Sequence, residues 1–67
     1  MPKNLQADID WHHARIAFYE QALAALDTAP DVPDRARRQA GLKEILADLN
    51  RTLFHLEREL AERTKGA

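Results

Sequence analysis

Leucines stand at Leu42, Leu46, Leu49, Leu53, Leu56 and Leu60, separated alternately by four residues and three. Only an α-helix carries such a series on one side, and the steps are those of the heptad seam along which helices pack. A second series, Leu5, Ile9, His12, Ile16, Tyr19, Leu23 and Leu26, repeats the pattern with one polar member. Two seams joined by one break define an all-α chain of two helices.

The break lies at Thr28 to Pro33, where Ala29-Pro30-Asp31-Val32-Pro33 carries two prolines. Pro30 cannot continue a helix interior and pushes Ala29 out of the helical region. Pro33 suits the first turn of a new helix, with Asp31 or Val32 near its cap and Asp34 in its first turn. At the start, Asn4 is a natural N-cap, and Asp8 and Asp10 suit the positive end of the helix dipole. The expected elements are helix 1 over about residues 4–28, a turn over about 29–33 and helix 2 over about 33–64, with Lys65-Gly66-Ala67 fraying. Gly41 falls inside helix 2, where it costs about 1 kcal/mol against alanine. A connection this short makes the helices antiparallel neighbours, so the predicted architecture is one helical-hairpin domain.

A hairpin of 67 residues has little core, and chains this small are usually held by disulfides, a metal or a partner chain. There is no cysteine, which removes the first and the thiolate form of the second. Self-assembly remains, and a hairpin that dimerises about a two-fold axis into a four-helix bundle is the commonest solution. No apolar run approaches the roughly 20 residues that span a bilayer. Met1-Pro2-Lys3-Asn4 lacks the apolar run of a signal peptide, so the chain reads as cytoplasmic with no membrane role.

Both helices carry a second apolar line. Trp11, Phe18 and Ala25 recur at spacing seven on helix 1, with Ala14 and Ala22 beside them. Ala40, Ala47, Phe54 and Ala61 do the same on helix 2, where Ile45 widens the main seam. On helix 1 the line sits roughly 130° from the seam. A lone hairpin cannot cover both sets, and a buried aromatic or large aliphatic side chain is worth about 1.5–3 kcal/mol. Trp11, Phe18, Ala25, Ala47 and Phe54 are therefore the candidate protein interface, with the aromatics as anchors.

No chemistry competes with that reading. Serine is absent, Thr28, Thr52 and Thr64 have no His–acid pattern near them, and two glycines cannot build a phosphate loop. His12 lies on the seam four residues after Asp8, and Glu59 lies four after His55. With the turn centred near residue 30, His55 would stand opposite residues 6–8, away from His12. The Glu-x-x-His pattern of di-iron bundles is missing, so no catalytic residue, metal or cofactor is assigned. A seam histidine can fix register, and it would make assembly sensitive to mildly acidic pH.

Arg35, Arg37 and Arg38 crowd the first turns of helix 2, the end at which the dipole disfavours cations. They form a candidate anion or nucleic-acid contact. The net charge of -1 does not favour nucleic acid. Asp48 with Arg51 and Glu59 with Arg63 read as helix-surface pairs worth tenths of a kcal/mol.

These features lead to a small non-enzymatic interaction protein of adaptor, inhibitor or co-chaperone type, acting through helix faces. In architecture it resembles secretion co-chaperones and phage-encoded inhibitors, small bacterial and phage proteins of this shape. One alternative is an RNA-binding homodimer similar in architecture to plasmid ROP-type regulators, which would require Arg35, Arg37, Arg38, Lys3 and Arg15 to converge on one face. The other is a purely structural oligomerisation module.

Overall fold

The computed structural model describes residues 4–29 and 31–66. Met1, Pro2, Lys3, Pro30 and Ala67 lie outside the described residues, and with them the readings placed on the chain's start, on Lys3 and on Pro30. The protein is all-helical: α1 runs over Leu5–Asp27 and α2 over Arg35–Gly66. They pack side by side in opposite directions, as the neighbours Asp27 and Gln39 near the turn and His13 and Glu57 at the far end show.

Asn4 caps α1 as its position suggests. It is extended, and its side-chain oxygen accepts from the amides of Gln6 at 3.0 Å and Ala7 at 3.3 Å. Those are two of the four helix-start N–H groups that have no partner inside the helix. Replacing Asn4 by alanine should cost about 1 kcal/mol, read as a lower denaturation midpoint with an unchanged slope.

The connection is longer than the prolines alone imply. Thr28 and Ala29 tighten the end of α1 by donating to Ala25 and Leu26, and Val32 donates to Ala29. Pro33 stays in the turn rather than opening α2. Asp34 adopts φ 56°, the left-handed region that aspartate tolerates better than most side chains, and its carbonyl accepts the first helical bond, from Arg38 at 2.9 Å. α2 therefore begins at Arg35, two residues late. It also continues through Lys65 to Gly66 rather than fraying, with Arg63 and Lys65 in the last turn, where cations suit the dipole. The longer turn shifts the register. His55 comes level with the residues just past His13, not with residues 6–8.

The two seams meet as expected. Ile9, Ile16 and Leu53 are the buried hydrophobic residues among those described, and Leu5, Leu46, Leu49, Leu56 and Leu60 pack around them half-covered. His12 is half-buried at the seam's edge, its Nδ1 2.7 Å from the Asp8 carbonyl oxygen, so Nδ1 carries the proton that makes this bond. No buried polar side chain lacks a partner among the described residues. No helix of the described residues is long and apolar enough to cross a membrane.

Candidate protein-interaction surface

A hairpin has two broad faces, one on each side of the plane holding its helix axes. Each residue's face follows from its turn of about 100° around the helix. The faces of this hairpin differ in chemistry.

One face is polar and bridged. His13 Nε2 lies 3.5 Å from a Glu57 carboxylate oxygen, and the Gln39 amide donates to the Asp27 carboxylate at 2.7 Å. Gln6, Asp10 and Thr64 line the same side, with Ile9, Leu60 and Ala61 between them. Polar side chains thus span the helix–helix junction at both ends and already have partners.

The other face is apolar and open. Near the turn, Ala22, Ala25, Leu26, Val32, Gly41, Leu42 and Ile45 line a shallow groove with Arg38 at its edge. Ile45 is 40% exposed there. A Cβ added at Gly41 would meet nothing within 4 Å, so the glycine does not serve close approach of the chain's own helices. Toward the open end this face carries Leu5, Asp8, Leu56, Glu59 and Arg63.

Along the α1 edge of the apolar face stand Trp11, 53% exposed, and Phe18, 58% exposed. Arg15 lies between them with its guanidinium carbon 5.5 Å from the Trp11 ring centre, 5.7 Å from that of Phe18 and 5.6 Å from that of Tyr19. Cations at such distances are attracted to ring faces, by about 0.5–1 kcal/mol at exposed sites. Tryptophan, arginine and a second aromatic in one row are the residue types that dominate interface energies.

Phe54 is 61% exposed but belongs to the opposite flank, with Ala47 and Ala61. The five candidate interface residues therefore form two surfaces: Trp11, Phe18 and Ala25 border the apolar face, and Ala47 and Phe54 border the polar one. Arg15, Ala22, Gly41, Leu42 and Val32 complete the apolar face without having been singled out as interface residues. The small ones carry no sequence signal apart from their position on the correct flank.

The arginine cluster separates too. Arg35 turns back to α1, its Nε donating to the Leu26 carbonyl at 2.8 Å and its Nη2 to that of Asp27 at 3.2 Å. Arg38 edges the apolar groove, and Arg37 is exposed on the outer side of α2. Asp48 with Arg51 and Glu59 with Arg63 pair along α2 at 3.6 Å and 3.1 Å, and Arg58 with Glu62 at 3.4 Å. Among the described residues no group of three or more His, Asp or Glu is placed to hold a metal ion. Comparison of the chain with protein-family models, curated proteins and solved structures finds no match.

Proposed function

We propose that this chain is a non-enzymatic interaction protein of adaptor, inhibitor or co-chaperone type, which works as a homodimeric four-helix bundle through its helix faces. The observation that carries the reading is the asymmetry of the hairpin. One face is bridged by polar pairs, while the other leaves Ile45, Leu42, Leu26, Val32 and the Trp11–Phe18 edge without cover. An apolar groove near the turn and an exposed aromatic edge on the same side of so small a chain support a surface that another polypeptide covers.

Sedimentation equilibrium tests the first half of the proposal. A two-chain particle is expected, with helix content and melting temperature rising with concentration by mass action. A folded monomer at millimolar concentration would overturn it. Acrylamide quenching of Trp11 in the assembled particle tests the second half. An indole still open to quencher leaves the aromatic edge for a different protein partner. A shielded one makes the chain a self-contained oligomerisation module.

The ROP-type alternative has less support. Within one copy Arg35, Arg37 and Arg38 diverge, and Arg35 already has partners.

A further inference from the structure

We draw no further inference here: the strongest candidate, the apolar groove near the turn with the Trp11–Phe18 edge beside it, carries none, because nothing in the structure shows what covers it or in which orientation.

Discussion

Truncating Leu53 to alanine is expected to destabilise the protein by about 2–4 kcal/mol and to leave a large share of the chains unfolded at room temperature. Leu53 is 7% exposed and is the α2 contribution to a cluster whose α1 members are Ile9 and Ile16. A larger protein can relax around a lost isobutyl group. This one has a single layer of contact between two rods, and α2 contributes no other buried side chain among those described. The cavity would open at mid-length, where neither helix end can bend to close it. Urea denaturation followed by circular dichroism, at one fixed protein concentration, measures the loss. Leu42→Ala, half-buried beside the turn, should cost about half as much. Equal losses at the two sites would mean that stability resides in the interface between copies rather than in the junction within one copy.

The fold was legible because its determinants are local. Two seams with heptad steps specify two helices, Asn4 marks the first start, and the short polar break specifies their pairing. The start of α2 was not legible, because it depends on the left-handed backbone of Asp34, which no residue-type preference singles out against Pro33 as a first helical residue. The interface was legible in content but not in division. The extra lines lie about 130° from their seams on both helices, but in opposite rotational senses. Antiparallel helices viewed from one end wind in opposite directions, so offsets of the same sense share a face and offsets of opposite sense do not. Spacing alone joins Phe54 to Trp11 and Phe18, whereas the sense of the offset separates them.

Arg35→Ala should cost about 1–2 kcal/mol, where Arg37→Ala costs less than about 0.5 kcal/mol, although sequence alone treats the two as one cluster. The cation that is misplaced for its own helix is well placed for the other. α1 has no basic residue in its last turn, and its final carbonyls carry the negative end of its dipole. Arg35 reaches across the connection and donates to two of them, at Leu26 and Asp27, and Gln39 secures the Asp27 side chain beside it. This arrangement holds the turn closed and fixes the heights at which the seams meet. The contact between the Arg35 and Asp27 side chains adds little, because it spans 4.0 Å and Asp27 is largely exposed. The loss should therefore persist in high salt, which screens an ion pair but leaves hydrogen bonds to carbonyls largely intact. Arg35→Lys should recover part of the loss, since an ammonium can reach one carbonyl but lacks the fork that engages two. If Arg35→Ala and Arg37→Ala cost the same, and salt abolishes both effects, then Arg35 acts only as surface charge and the closure of α1 by α2 is not what orders the turn.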